Sequence, residues 1–170
     1  KLILASNNKG KVVEFREILA GTGIEVIPQR EAGCDFEVDE TGDTFEENAF
    51  LKAEAAMKAT GLPAVSDDSG LEVDALGGAP GVHSARYTGN HDDSDLDRRK
   101  FLMKNLEGVE HREARFVSAI CCVFPNGDVL RARGTCEGRI ATYMKGENGF
   151  GYDAMFIAED YDITMAEMTH

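Results

Sequence analysis

The N-terminal segment alternates between short apolar runs and an amphipathic stretch, and this order constrains the fold more than any other feature. Two runs, Leu2 to Ala5 and Ile24 to Ile27, have the length of buried strands, and Pro28 ends the second. The stretch between them repeats apolar residues at helical spacing, namely Val12, Phe15, Ile18 and Leu19. A strand, a helix and a second strand in succession predict an α/β protein.

The middle of the chain continues this alternation of helix and strand. Thr44 and Glu47 have the spacing of a capping box, which predicts a helix that runs to about Thr60. Leu62 to Val65 is typical of a buried strand. We expect this strand to stop where the acidic pair Asp67-Asp68 begins.

The second half of the chain predicts one more helix and a hairpin. Asp92 to Leu106 has an amphipathic pattern, and Arg115 to Phe124 has the composition of a long strand that is apolar on both faces. The turn Pro125 to Asp128 leads into a second strand, Val129 to Glu137, as in an antiparallel hairpin. Parallel crossovers together with a hairpin predict a mixed sheet. With no linker or repeat in the sequence, we expect a single domain over residues 1–170.

The chain is strongly acidic, with a formal net charge of −13 over 170 residues. Such a surface repels nucleic acid backbones and anionic membranes, so we expect neither as a partner. No apolar run approaches the roughly 20 residues of a membrane-spanning helix. The apolar segment at the N-terminus is also too short for a signal peptide. These features predict a soluble cytoplasmic protein.

The spacing of cysteines and histidines differs from that of disulfide frameworks and zinc sites. The cysteines lack C-x-x-C spacing, and Cys121 and Cys122 are neighbours in an apolar strand, which favours reduced, buried thiols. The histidines lack ligand spacing such as H-E-x-x-H; they are His83, His91, His111 and His170. No G-x-S-x-G elbow is present, so acyl transfer is not expected. The basic run Arg98-Arg99-Lys100 is typical of a solvated helix face.

Asp67 and Asp68, followed by Ser69 and Gly70, form the first candidate site. Adjacent carboxylates are costly to bury unless a cation compensates their charge. A hard divalent metal would take oxygen ligands there and would also bind phosphates. The alternative interpretation is an Asx-type turn that caps the strand.

The acidic stretch ahead of the second helix offers further metal ligands. Asp39 and Glu40 lie in this stretch, and Glu47 follows on the first turn of the helix. A solvated loop is the alternative for Asp39 and Glu40. Capping and the helix dipole explain Glu47 without any metal.

The polar loop after the first strand is a candidate phosphate site. It precedes a helix, where backbone N–H groups and the helix dipole favour an anion. Its side chains donate hydrogen bonds or add positive charge; the residues are Ser6, Asn7, Asn8, Lys9, Gly10 and Lys11. It matches neither a P-loop nor a dinucleotide fingerprint, and an ordinary polar turn is the alternative.

The glycine–aromatic segment Gly146 to Asp153 is a candidate site for a flat ligand. Its glycines allow close backbone approach, and its rings can stack on a base. The candidate contacts are Phe150, Gly151, Tyr152 and Asp153. A tight turn whose rings belong to the core is the alternative.

Together these segments resemble the inosine/xanthosine triphosphate pyrophosphatase family, whose members act on non-canonical purine nucleoside triphosphates. Five motifs occur in the order found in that family: Leu4 to Lys11 (LASNNKGK), Thr44 to Ala49 (TFEENA), Asp67 to Leu71 (DDSGL), Ala75 to Tyr87 (ALGGAPGVHSARY) and Gly149 to Asp153 (GFGYD). The resemblance covers essentially the whole chain.

The resemblance implies a fold and a reaction. The fold would be an elongated mixed β-sheet flanked by helices, with two lobes around a central active-site cleft. The reaction would be Mg²⁺-dependent hydrolysis of ITP, dITP or XTP to the monophosphate and pyrophosphate, in a cytoplasmic homodimer that cleanses the nucleotide pool.

The resemblance also implies roles for individual residues. Asp68 would be the general base and would hold Mg²⁺ together with Asp39 or Glu40. Ser69 would contact the substrate, and the loop from Ser6 to Lys11 would hold the triphosphate. The base pocket would be formed by Phe150, Gly151, Tyr152 and Asp153.

Two further expectations concern the C-terminus and the competing functions. Members of the resembled family continue past the position of His170 through a lysine and a Ser-His-Arg motif, so we expect a C-terminal segment to be missing here. A Maf-like pyrophosphatase for pyrimidine or modified nucleotides is the second enzyme hypothesis. A nucleotide-binding module without catalysis and an acidic calcium-binding domain are the others, although no EF-hand pattern occurs.

Overall fold

Residues 1–90 and 92–169 are described by a computed structural model, and within them six strands form one sheet. The strands are β1 (Leu2–Leu4), β2 (Val26–Pro28), β3 (Ala64–Val73), β4 (Glu113–Val123), β5 (Val129–Ile140) and β6 (Phe156–Ala158). Three α-helices accompany them, α1 (Lys9–Ile18), α2 (Phe45–Thr60) and α3 (Asp95–Asn105). His91 and His170, two of the histidines whose spacing differs from that of zinc sites, lie outside the described residues.

The sheet is mixed, as the sequence predicts. Its strand order is β2-β1-β3-β4-β5-β6. Strand β1 pairs in parallel with β2 and with β3, whereas β5 pairs antiparallel with β6. Strands β4 and β5 are neighbours joined by a tight turn, in which Phe124 N donates to Asp128 O at 2.9 Å. The α/β class and the hairpin are therefore confirmed.

The helices begin at side-chain caps that are visible in the sequence. Asn8 Oδ1 accepts from the backbone N–H groups of Gly10 and Lys11 at the start of α1. Thr44 Oγ1 accepts from Glu47 N at the start of α2. The return bond of a capping box is absent there, because Glu47 Oε2 accepts from Asp43 N instead. In α3, a true capping box joins Ser94 and Asp97.

The prediction that the third strand stops at the acidic pair is wrong. Strand β3 runs from Ala64 through the pair to Val73. Alternation along the strand buries Ser66 and Asp68 on one face and leaves Asp67 half-buried on the other. The strand tolerates these acids because lysine side chains lie against them, which the local sequence does not reveal.

The chain divides into two compact units, each with its own core. The first comprises residues 1–68 and 119–133, and the second comprises residues 69–118 and from 134 onward. In the first unit, three alanines of α2 are fully buried, namely Ala49, Ala53 and Ala56. In the second unit, Leu71, Leu102, Leu106 and Phe156 are the large buried side chains of the core.

The cysteines are reduced thiols that differ in burial. All four cysteines are free, with Cys34 and Cys121 buried and Cys122 and Cys136 partly buried. Within residues 1–90 and 92–169, no helix is long and apolar enough to cross a membrane.

Candidate active site

Asp68 is a buried carboxylate in the middle of β3. Its residue is only 7% exposed, and its Oδ2 atom has no hydrogen-bond partner within residues 1–90 and 92–169. Strand alternation places it on the same face as Ser66, two residues earlier, so it cannot turn to solvent without flipping the strand. A buried carboxylate oxygen with no partner is costly for a fold to keep, and such groups occur often at functional sites.

Lys52 on α2 provides the positive charge beside Asp68. Its Nζ atom lies 3.5 Å from Asp68 Oδ1 and 3.2 Å from Glu40 Oε1, and it donates to the backbone oxygen of Asp67 at 2.8 Å. One ammonium group therefore joins the acidic loop to β3. Sequence reasoning missed Lys52, although a lysine within the alanine-rich stretch of α2 was an available signal.

Burial raises the pKa of Asp68 to about 6, since removal from water disfavours the charged form. Lys52 opposes this rise, and the nearby carboxylate of Glu40 adds to it. A carboxylate with a pKa near 6 is ionised at neutral pH and is a stronger base than an ordinary aspartate. The side chain thus has the properties of a general base.

The acidic loop is held against α2 by a buried amide. Asn48 is fully buried, and its Oδ1 atom accepts from Gly42 N at 2.8 Å. A Cβ atom on Gly42 would lie 2.6 Å from Glu47 Cβ and 2.7 Å from Asn48 Oδ1, so only glycine fits. This contact fixes the loop close to Glu40, which was one of two predicted ligands. The other, Asp39, is exposed.

The arrangement fits a hard divalent cation. Among the described residues, no three His, Cys, Asp or Glu side chains lie together as a complete metal cage. Two carboxylates, those of Glu40 and Asp68, nevertheless approach the same ammonium nitrogen of Lys52, and within residues 1–90 and 92–169 Asp68 Oδ2 has no hydrogen-bond partner. Mg²⁺ is commonly held by one or two carboxylates, with waters and substrate phosphates as its other ligands. The donor set therefore suits Mg²⁺ bound together with a phosphorylated substrate.

The predicted phosphate loop lies at the start of α1, and its residues divide into three groups. Ser6 Oγ accepts from Asn8 N, and Asn8 caps the helix, so both shape the loop. Lys11 Nζ pairs with Asp67 Oδ1 at 3.0 Å. Asn7, Lys9 and Gly10 are exposed at the helix N-terminus, where a phosphate would meet the helix dipole and the positive charge of Lys9.

In the second unit, the glycine–aromatic loop presents one ring and buries the other. Phe150 is 69% exposed, whereas Tyr152 is buried in the core and its hydroxyl donates to Ser84 O at 2.6 Å. Burial raises the pKa of that hydroxyl above its usual range. Asp153 Oδ2 accepts from Phe150 N, and burial also raises the pKa of this carboxyl. Ser69 is exposed on β3.

The expectation that Arg98 and Arg99 form part of a solvated face is wrong. Arg98 pairs with Asp95 at 2.7 Å and donates to Asp93 O, and its side chain is largely buried. Arg99 Nη1 donates to Gly151 O at 2.6 Å. Both guanidinium groups donate hydrogen bonds within the second unit, because α3 lies against the glycine–aromatic loop. Only Lys100 of this run is exposed.

The fold and the site define a class of α/β protein with a buried carboxylate–lysine centre and an exposed helix N-terminus, a combination suited to phosphorylated ligands. The chain belongs to the Ham1 family, whose model matches residues 2–170. This result confirms the family predicted from the five motifs.

Individual relatives agree with this assignment. The chain is 51% identical to a dITP/XTP pyrophosphatase of Symbiobacterium thermophilum, covering 99% of this chain and 83% of the relative. It is 48% identical to a Bacillus subtilis protein of the same name, covering 98% and 85%.

Solved structures agree as well. The Staphylococcus aureus Ham1 protein superposes with a TM-score of 0.91 at 45% identity, covering 99% of this chain and 86% of that one. A HAM1 protein from Coxiella burnetii gives a TM-score of 0.93 at 41% identity, with the same two coverages. The chain thus shares its fold with these proteins.

Proposed function

We propose that this chain hydrolyses nucleoside triphosphates with a non-canonical purine base, such as ITP, dITP and XTP, to the monophosphate and pyrophosphate. The observation that carries the proposal is the centre formed by Asp68, Lys52 and Glu40, which contains a buried base beside a fixed positive charge. The name dITP/XTP pyrophosphatase, borne by relatives about half identical to this chain, supports the substrate class.

Asp68 is the general base in this proposal. Its carboxylate takes a proton from a water molecule. The water oxygen forms a bond to one of the two phosphorus atoms that the α–β bridging oxygen joins. The P–O bond on that bridge breaks, so that pyrophosphate and the nucleoside monophosphate separate. Lys52 keeps Asp68 ionised for this step, because an ammonium group beside a carboxylate favours the charged form.

The proposed metal ligands are Asp68 and Glu40, with the exposed Asp39 as the other predicted candidate. Bound Mg²⁺ would neutralise negative charge on the triphosphate and on the leaving pyrophosphate. Asp68 Oδ2 is the unpartnered oxygen available to a ligand, while Oδ1 faces Lys52. The remaining metal ligands would come from phosphate and water.

The triphosphate is assigned to the loop before α1. Asn7 and Lys9 supply exposed donors, Gly10 leaves room beside them, and Ser6 and Asn8 hold the loop in its conformation. Lys11 contributes through its pairing with Asp67. This assignment rests on the helix N-terminus and its lysines.

The base is assigned to the glycine–aromatic loop and the substrate contact to Ser69. The exposed ring of Phe150 is available for stacking, Asp153 offers a carboxylate beside it, and Gly151 shapes the loop between them. Tyr152 supports the loop from the core. A 6-oxo purine is best separated from a 6-amino purine by hydrogen bonds that leave the wrong base unpaired.

We also propose a domain organisation, an oligomeric state and a cellular location. The protein acts on a small-molecule nucleoside triphosphate, as one pyrophosphatase domain, in a cytoplasmic homodimer. Sedimentation of the purified chain and of the chain with dITP would test the dimer separately from the activity.

The decisive experiment measures pyrophosphate release with Mg²⁺ from ITP, XTP, dITP, ATP, GTP and the pyrimidine triphosphates, with EDTA as the metal-free control. Preference for the 6-oxo, non-standard purines is the expected result. A pyrimidine preference would contradict the proposal and favour a Maf-like activity. Binding of ITP without any pyrophosphate release would instead indicate a nucleotide-binding module.

A further inference from the structure

Two side chains of α3 hold opposite sides of one residue in the glycine–aromatic loop. Gly151 N donates to Asp95 Oδ2 at 2.9 Å, and Gly151 O accepts from Arg99 Nη1 at 2.6 Å. Asp95 and Arg99 are one helical turn apart, so both lie on the same face of α3. Both backbone polar groups of a single loop residue are therefore bonded to side chains more than 50 positions earlier in the chain.

The two side chains are themselves held in place. Asp95 Oδ1 accepts from Arg98 Nη2 at 2.7 Å, and Arg98 Nη1 donates to Asp93 O at 2.6 Å. The Ser94 capping box fixes the start of α3 beneath them. Arg99 has also lost water, since its Nε atom is buried and has no hydrogen-bond partner within residues 1–90 and 92–169. A buried arginine is retained at such a cost where its remaining bond to the protein is strong.

Gly151 lies in a part of the loop with an unusual backbone conformation. Gly151 has a φ of 58° and Gly149 a φ of 73°, which are left-handed conformations that glycine adopts most readily. Between them, Phe150 presents a ring that is 69% exposed. A ring without core packing takes its orientation from its own backbone, and that backbone is fixed at Gly151.

We propose that Arg99 and Asp95 are positioning residues, which fix the Gly151 peptide so that Phe150 and Asp153 are preorganised to bind and select the purine base. This rests on the proposed function, in which that loop receives the base. Arg99 does not contact the reacting phosphorus in this account. Its effect is on binding of the base, because misplacement of a contact by about 1 Å can cost 10²-fold in a preorganised site.

The experiment compares Arg99→Met with Lys100→Met, which removes a positive charge from the next, exposed position of α3. For Arg99→Met we expect KM for dITP to rise by about tenfold or more while kcat changes less than about twofold, the pattern of lost binding. Inhibition by inosine should weaken in parallel, whereas inhibition by pyrophosphate should not change. Lys100→Met should leave all of these values as in the wild type.

A second pair of variants tests the bond from Gly151 N–H to Asp95, which together with the bond from Arg99 forms a clamp on this residue. Asp95→Asn keeps an acceptor oxygen for Gly151 N–H, and Asp95→Ala removes it. We expect KM for dITP to rise in Asp95→Ala and to be largely restored in Asp95→Asn. Unchanged KM and inosine inhibition in both Arg99→Met and Asp95→Ala would overturn the proposal. Equal weakening of pyrophosphate inhibition would also overturn it, because general damage to the fold would then explain the loss.

Hydrogen exchange separates this inference from the proposed function. The Gly151 amide should be protected in the wild type and should exchange faster in Asp95→Ala, whether or not the chain hydrolyses dITP. If the wild type is inactive on every triphosphate but its Gly151 amide is protected, the proposed function is refuted and the bonding of Gly151 by Asp95 and Arg99 is supported. Wild-type activity with an unprotected Gly151 amide would refute the clamp alone.

Discussion

The ammonium nitrogen of Lys52 lies 3.5 Å from Oδ1 of Asp68, and the same nitrogen lies 3.2 Å from Oε1 of Glu40. A helix, a strand and a loop that are far apart in the sequence thus converge on one positive charge. The arrangement explains how β3 can continue through two aspartates. In the part of the chain that the structure describes, Asp68 Oδ2 has no hydrogen-bond partner, as expected for a group that acts on a ligand.

Asp68→Asn should abolish most turnover and leave the fold intact. Asparagine has nearly the same shape but cannot accept a proton from water. General bases contribute about 10²- to 10⁴-fold to rate, so kcat for dITP should fall within or beyond that range. Asp128→Asn, on the exposed turn between β4 and β5, is the control. Near wild-type turnover by Asp68→Asn would remove this residue from the mechanism.

The same substitution should stabilise the metal-free protein at neutral and alkaline pH. The pKa of Asp68 is about 6 in the folded protein against 3.8 for the unperturbed group. The folded state therefore binds more protons than the unfolded state between these values, and its stability falls as pH rises through them.

Urea denaturation in EDTA would measure this effect as the difference between the variant and the wild type. Below pH 4 the two free energies of unfolding should converge. Above pH 6 the asparagine variant should be more stable by up to about 3 kcal/mol, which is the free energy that corresponds to the two pKa values. A difference that stays constant from pH 4 to pH 8 would show that Asp68 titrates normally.

Lys52→Met should move the pH dependence of activity. Without the ammonium group, only the weaker effects of Asn48 and Lys11 oppose burial and the charge of Glu40, so the pKa of Asp68 should rise further. We expect the acid limb of the kcat/KM profile to shift to higher pH. A rise of one pKa unit should lower kcat/KM about tenfold at pH 5, well below the pKa, but only about twofold at pH 7.

Lys58→Met on the same helix is the matched control for Lys52→Met. Lys58 is exposed and pairs only with Glu54 on its own helix face among its described ion pairs. Surface pairs of this kind contribute about 0.3–0.5 kcal/mol, so its profile should match the wild type. Superimposable profiles for all three proteins would contradict the role given to Lys52.

Gly138→Ala should destabilise the second unit where β5 pairs with β6. A Cβ atom at this position would overlap Ile157 O and would lie 2.7 Å from the Phe156 ring. Overpacking of this kind costs about 1–3 kcal/mol. Gly134→Ala, in the same strand, is the control, because a Cβ atom there meets nothing within 4 Å. Thermal unfolding would compare them, and equal melting temperatures would show that the pairing tolerates a side chain.

Much of the fold could be predicted because its signals are local. Asn8, Thr44 and Ser94 cap the three helices with their own side chains, and such bonds reach only two or three residues along the chain. Periodicity located four strands, β1, β2, β4 and β5, and the hairpin to within about three residues, whereas the short strand β6 was not predicted. The end of the third strand was predicted wrongly. Adjacent carboxylates were expected to end a buried strand, and the local sequence does not show that lysines on other elements compensate their charge.

The site itself was only partly accessible to sequence reasoning. Asp68, Glu40 and the loop from Ser6 to Lys11 are candidates by composition, and they remain predictions of function. Lys52 was missed, and Arg99 was assigned to solvent. Both make their key contacts with residues far away in the chain, Lys52 with Asp68 and Arg99 with Gly151.

By itself, the sequence determined the order of the helices and of the first five strands, the caps and the family, because each depends on residue types at short, regular spacings. Only the tertiary structure decided which charges face each other, that β3 passes through its acidic pair, and that α3 holds Gly151. These features depend on side chains brought together from distant elements. Burial then sets their energies, since a charge removed from water must be matched by whatever the packing places beside it.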